Sequence, residues 1–187
     1  MDRVAVIGNC AGGKSVVGRL LAQRDRLPYF ELDQYLLDEN FGILPEFELH
    51  HAELIAGERW IIDGLGRPGS IPLRLARATR IILIDMPLWM HYTLAAERQT
   101  AWATRALAHP PGGILNPPRT AQLFHFMWQA DREWLPDIRA HCAREEAAGK
   151  PLIRVASLSE LNVLRLSMTD MADVAEAGCG KSSIATR

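Results

Sequence analysis

Residues 4–15 read VAVIGNCAGGKS, and how this stretch is read decides the fold. Residues 4–7 are apolar throughout, as expected of a strand buried on both faces of a parallel sheet. Gly8 then opens a turn, Gly12 and Gly13 keep the backbone open, Lys14 adds a charge, and Ser15 adds a hydroxyl where a helix begins. From there Val16, Val17, Leu20 and Leu21 recur at helical spacing. A buried strand, a glycine-rich turn and a helix N-terminus aim successive amides and the positive end of the helix dipole at one point. That is the construction of a phosphate-binding loop. The expected nucleotide-binding residues are Gly8, Asn9, Cys10, Ala11, Gly12, Gly13, Lys14, Ser15 and Val16. Lys14 would reach the β and γ phosphates of ATP, and Ser15 would bind Mg2+.

Residues 175–183, AEAGCGKSS, satisfy a relaxed form of the same pattern and act as a control. The residues before them, SELNVLRLSMTDMADV, have a helical rather than a strand-like pattern, and only four residues follow. Without a strand and a helix terminus the amides are aimed at nothing, so this copy reads as a tail.

Composition narrows the rest. At 187 residues the chain suits one domain, expected over residues 1–170, with a lid at about 105–122 and a tail at 171–187. The net charge of −1 gives no global field toward nucleic acid or a membrane surface. No apolar run has the length of a membrane span, and the N-terminus lacks signal-peptide regions, so a cytoplasmic protein is expected. Cys10, Cys142 and Cys179 are odd in number and scattered, which argues against disulfides and zinc. Cys10, inside the loop beside a lysine, is either an activated thiol or a small loop residue.

The strand signature recurs in PYFEL, RWIIDG, RIILID and KPLIRVA, separated by helical patterns beginning near Pro45, Ser70 and Pro87. This alternation predicts an α/β fold: a three-layer αβα phosphate-loop domain with a mostly parallel five-stranded sheet and a small helical lid. Ligands in such sheets sit beyond the carboxyl ends of the strands, which puts the loop, Asp33, Asp63 and Asp85 on one rim. HPPGGILNPPRT, residues 109–120, breaks the rhythm and reads as a disordered connection or as a lid that excludes water. A further helix is expected over residues 121–147, kinked or restarted at Pro136, with its aromatics as packing residues.

Asp63 ends a buried strand and is a candidate for holding the metal's shell with Ser15; the competing reading is a turn cap before Gly64. Asp33 would orient or deprotonate an acceptor hydroxyl, or else cap the next helix. Asp85 is assigned to capping. A transferring phosphoryl group builds charge on its peripheral oxygens, so Arg67, Arg98 and Arg132 join Lys14 and Asp33 as catalytic candidates. Arg74, Arg77 and Arg80 read as surface or helix-dipole residues.

Taken in order, GNCAGGKS, FELD, RWIIDGLGR and RIILIDMP resemble adenylate-kinase-like P-loop NTPases of the DNA topology modulation, or FlaR-related, group, to about residue 155. IIDGLGR is similar to the DGFPR segment of adenylate kinases, which would place Asp63 near magnesium and Arg67 near phosphates. The chain departs from that group at Val16, where a second hydroxyl is usual, and at Leu94, Glu133 and Leu135, which occupy positions that are often basic.

The leading expectation is a Mg2+-dependent, ATP-using kinase for a small-molecule acceptor, nucleotide or metabolite, acting as monomer or homodimer without membrane or nucleic acid. The alternative is a nucleotide-binding regulator with little transfer, which the missing arginines favour. Asp63-Gly64-Leu65-Gly66 fits the short DxxG pattern of GTPases, but no guanine-reading NKxD stretch follows.

Overall fold

The apolar run before the loop becomes β1 (Arg3–Gly8), the middle strand of a five-stranded parallel sheet ordered β2-β3-β1-β4-β5. Its partners are β3 (Trp60–Asp63) and β4 (Arg80–Ile84), with β2 (Tyr29–Glu31) and β5 (Leu152–Val155) at the edges. This computed structural model describes residues 2–179, and side chains through Thr169.

Strand pleating divides the core in two. Ala5 and Ile7 of β1 pack with Phe47, Trp60, Leu75 and Ile138, while Val4 and Val6 pack with Val17, Leu21, Leu161 and Met168. The first face is covered by α3 (Phe47–Ala56), α4 (Ser70–Arg77) and α7 (Leu135–Ala147), and the second by α1 (Lys14–Asp25) and α8 (Leu158–Cys179). The short α2 (Asp33–Leu36) follows β2 directly, and α5 (Leu88–Ala103) and α6 (Thr120–Gln129) flank the loop side. The expected three-layer α/β architecture is what the chain adopts. No helix of the described residues is long and apolar enough to cross a membrane.

Four local outcomes refine the reading. Pro136 has no N–H, and its ring would crowd the Arg132 carbonyl, so the helix widens into a π turn over Ala130–Trp134, where Leu135 N donates to Ala130 O, before restarting as α7. Residues 105–119 contain a single 3-10 turn, Pro111–Gly113, and α6 begins at Thr120. The helix α8 runs continuously through residue 170 to Cys179, and the second loop-like match extends beyond the described residues. Asp85 is not a cap: it accepts from Arg139 Nε at 2.8 Å and joins the sheet end to α7, because α5 opens on Pro87 instead.

Candidate functional site

The loop is held from both sides before any ligand arrives. Asn9 Nδ2 donates to Met127 O of α6 at 2.8 Å, and Asn9 Oδ1 accepts from its neighbour's amide, Cys10 N, at 2.8 Å. From α5, buried His91 places Nδ1 2.8 Å from Cys10 O, which fixes the proton on Nδ1. The same ring leaves room only for glycine at residue 12, where a Cβ would lie 2.7 Å from His91 Cε1. The Asn9 side chain is committed to the scaffold, which leaves its backbone as the part it can offer a nucleotide.

Inside the loop, buried Lys14 donates from Nζ to Asn9 O at 2.7 Å. The amine thus rests on its own loop. A neighbouring charge activates an exposed thiol, but here burial dominates and pushes Cys10 upward despite Lys14 and Arg98, so Cys10 is a packing residue beside Ala95 and Met127.

Next to the loop lie three carboxylates. Asp63 is buried at the end of β3, where Tyr29 Oη donates to its Oδ2 at 2.6 Å, and the Ser15 side chain is close enough to influence both groups. Burial raises its pKa, against the opposing effects of the Tyr29 bond and Lys14. Glu31 is its register partner on β2 and is 8% exposed. Burial, then the charges of Asp63 and Asp33, push Glu31 up to about 7, with Arg19 3.7 Å away in opposition. Asp33 is half-buried as the first residue of α2, and its side chain caps nothing, which removes the N-cap reading.

Glu31 makes a stability prediction. Between its ordinary value of 4.5 and about 7 the folded chain holds a proton that the unfolded chain releases, so stability is present at low pH and lost as pH rises through this window. Thermal melts from pH 4 to 8 should therefore show Glu31→Gln gaining on the wild type across the window, by roughly 1–3 kcal/mol at pH 7.5. Parallel melting curves would contradict this.

The arginine candidates separate. Arg98 is half-buried near Cys10, and its Nε is buried without a partner among the described residues. Arg67 is exposed and 3.4 Å from Glu48, although its backbone is held by Ser70. Arg132 is exposed on the π turn, away from any ion pair among the described residues. Of Arg74, Arg77 and Arg80, the exposed Arg77 serves a helix end as expected, whereas Arg80 and Arg74 depart from that reading. Arg77 donates to Ile55 O and Ala56 O at the end of α3, Arg80 donates to Asp25, and Arg74 is fully buried.

Beyond Asp33 opens a cleft of about 490 Å³ between residues 37–40 and 112–116. The segment 109–120 packs here in a defined way: Trp102 Nε1 donates to Ile114 O and Gln99 Nε2 to Pro118 O, each at 2.9 Å. Trp102 is 2% exposed for that reason, while Trp89 is 63% exposed. Gly112 touches the start of α2, where a Cβ would meet Asp33 O at 3.2 Å.

No protein-family model matches the chain, and no curated protein matches it. Solved structures do. A shikimate kinase from Bacteroides thetaiotaomicron is 15% identical, with 94% of this chain and 98% of that one covered and a TM-score of 0.55. A gluconokinase from Sinorhizobium meliloti 1021 is 14% identical, with 97% and 98% covered and a TM-score of 0.53. The chain therefore has a P-loop kinase-like fold.

Proposed function

We propose that this chain transfers the γ-phosphoryl group of ATP to a hydroxyl of a small acceptor, with Mg2+. The observation that carries the reading is the meeting of Lys14, Ser15, Asp63 and Asp33 at the carboxyl ends of neighbouring strands, with the unpartnered Nε of Arg98 on the loop side. Ligand sites of such sheets lie there. The FlaR-like motif order, ending near residue 155, agrees with it.

In this reading Lys14 exchanges Asn9 O for a phosphate oxygen, and the loop amides hold the rest of the donor phosphates. Ser15 and Asp63 fit magnesium because their donors are all oxygen and because a buried carboxylate raised by desolvation gains from a cation. The ion would neutralise charge on the β and γ oxygens. Asp33 holds, and then takes the proton from, the acceptor hydroxyl, with the acceptor body in the cleft formed by residues 37–40 and 112–116. Residues 105–122 act as the lid that keeps water out. Arg98 bears on the transferring group, and Arg67 and Arg132 take part only after reorienting, Arg67 by leaving Glu48.

One observation favours the regulator as a second reading. Leu135, at a position that is often basic in the resembling group, is an apolar residue buried in the core. Magnesium-dependent ADP formation from ATP decides between them, measured with nucleoside monophosphates, nucleosides and small hydroxylated metabolites, with GTP as an alternative donor. Acceptor-stimulated turnover above that of Lys14→Ala is the expected result. Tight ATP binding with no stimulation by any acceptor would favour the regulator.

A further inference from the structure

Arg74 lies in the middle of α4 and is 0% exposed. Its Nη2 donates to Gly64 O at 2.8 Å and to Leu65 O at 3.2 Å, while Nε and Nη1 have no partner among the described residues. Burying a guanidinium with unpaired N–H groups is expensive, and a chain that needed only packing here would do better with leucine. An unsatisfied buried charge calls for a reason.

Two lie within its reach. The first is electrostatic: burial pulls Arg74 down to about 10, and the two charges that oppose this are Asp63 and then Asp33. The field acts both ways, so Arg74 is a fixed positive charge behind the acidic rim. Its buried neighbour His51 adds no second charge, because burial and Arg74 itself lower it to about 4. The second is mechanical. The carbonyls that Arg74 grips belong to the turn after Asp63. At Gly64, with φ of +118°, a Cβ would stand 2.9 Å from Leu32 Cβ. Leu32 N in turn donates to Asp63 O at 2.9 Å, and Leu32 directly precedes Asp33. The gripped turn is thus packed against Leu32, between Asp63 at the end of β3 and Asp33 at the start of α2.

We propose that Arg74 is a positioning residue that pins the Gly64-Leu65 turn and supplies the counter-charge behind Asp33 and Asp63, setting the acidic rim for magnesium-dependent transfer without touching the nucleotide. This rests on the kinase reading above. The phosphate loop is anchored separately, by Met127 and His91, so loss of Arg74 separates donor binding from transfer.

The experiment compares wild type, Arg74→Met and Arg74→Lys. Calorimetry gives ADP affinity without Mg2+ and the gain in ATP affinity on adding Mg2+, and steady-state kinetics give kcat and KM. For Arg74→Met, ADP affinity should stay within about threefold while the magnesium gain and kcat fall about 10- to 100-fold, the range for removing a support behind metal-site ligands. Arg74→Lys restores a donor and a charge without the fork, so it should recover part of both. If Arg74→Met does not fold, Arg74→Lys decides, with an expected loss of about tenfold in the magnesium gain at unchanged ADP affinity. The proposal is overturned by a folded variant with unchanged magnesium gain and kcat, by parallel loss of ADP binding, or by a lysine variant no better than the methionine one. A wild type that transfers to no acceptor defeats the kinase reading instead, and the magnesium gain then still tests Arg74.

Discussion

Lys14→Ala should lower ATP turnover about 10²- to 10³-fold, while the chain stays folded. Among the described residues Lys14 Nζ has one hydrogen bond, to Asn9 O of its own loop, so the folded state loses on the order of 1 kcal/mol at most. Alanine is also the better helix former at the first position of α1. The nucleotide loses far more. Within a loop closed off by His91 and Asn9, a charged donor aimed at phosphate oxygens acts at low effective dielectric, where it outweighs the same contact in water. Turnover with matched melting curves is the check. A folded Lys14→Ala within threefold of wild-type turnover would remove the loop from the chemistry, and the kinase reading with it.

What the sequence reveals here is what depends on local period. The strand runs, the loop, and Asp63 at a strand end follow from residues within a few positions of one another, and all lie where expected. What it hides are pairings across the fold. His91 meets Cys10 over 81 positions, and Arg139 meets Asp85 over 54, and no local pattern encodes either. Glu31 passes as a strand residue until parallel pairing sets it beside Asp63. The burial of Arg74 does have a local signal. The residue falls with Ile71, Leu75 and Ala78 on one helical stripe, so the spacing that buries those three buries the arginine too. Charge type argued for the surface, and position outweighed it. The π turn belongs to a third class: Pro136 announces an interruption, but whether the helix kinks, ends or widens depends on what packs against α7, which is α4.

The second large effect concerns the first glycine of the loop. Gly8→Ala should cost about 3–5 kcal/mol, the sum of overpacking and backbone strain, and should weaken ATP binding in the fraction that folds. Gly8 has φ of +148°, which L side chains rarely adopt, and a Cβ there would sit 2.2 Å from Ile84 O. That carbonyl cannot swing aside, because Gly8 and Ile84 are register partners at the carboxyl ends of β1 and β4, with Ile84 also paired to Val155 of β5. Relief therefore requires prying apart the strands from which the loop springs, so stability and phosphate geometry fall together. In a chain of this length each kcal/mol is worth about 2–4 °C of melting temperature, giving an expected drop near 10 °C. Gly69→Ala is the control: no atom lies within 4 Å of its Cβ position, and its φ is −68°, so it should melt with the wild type. If Gly8→Ala did the same, the sheet would have to yield by more than half an ångström at Ile84 without penalty, and glycine at position 8 would then be answering to the bound phosphate and not to β4.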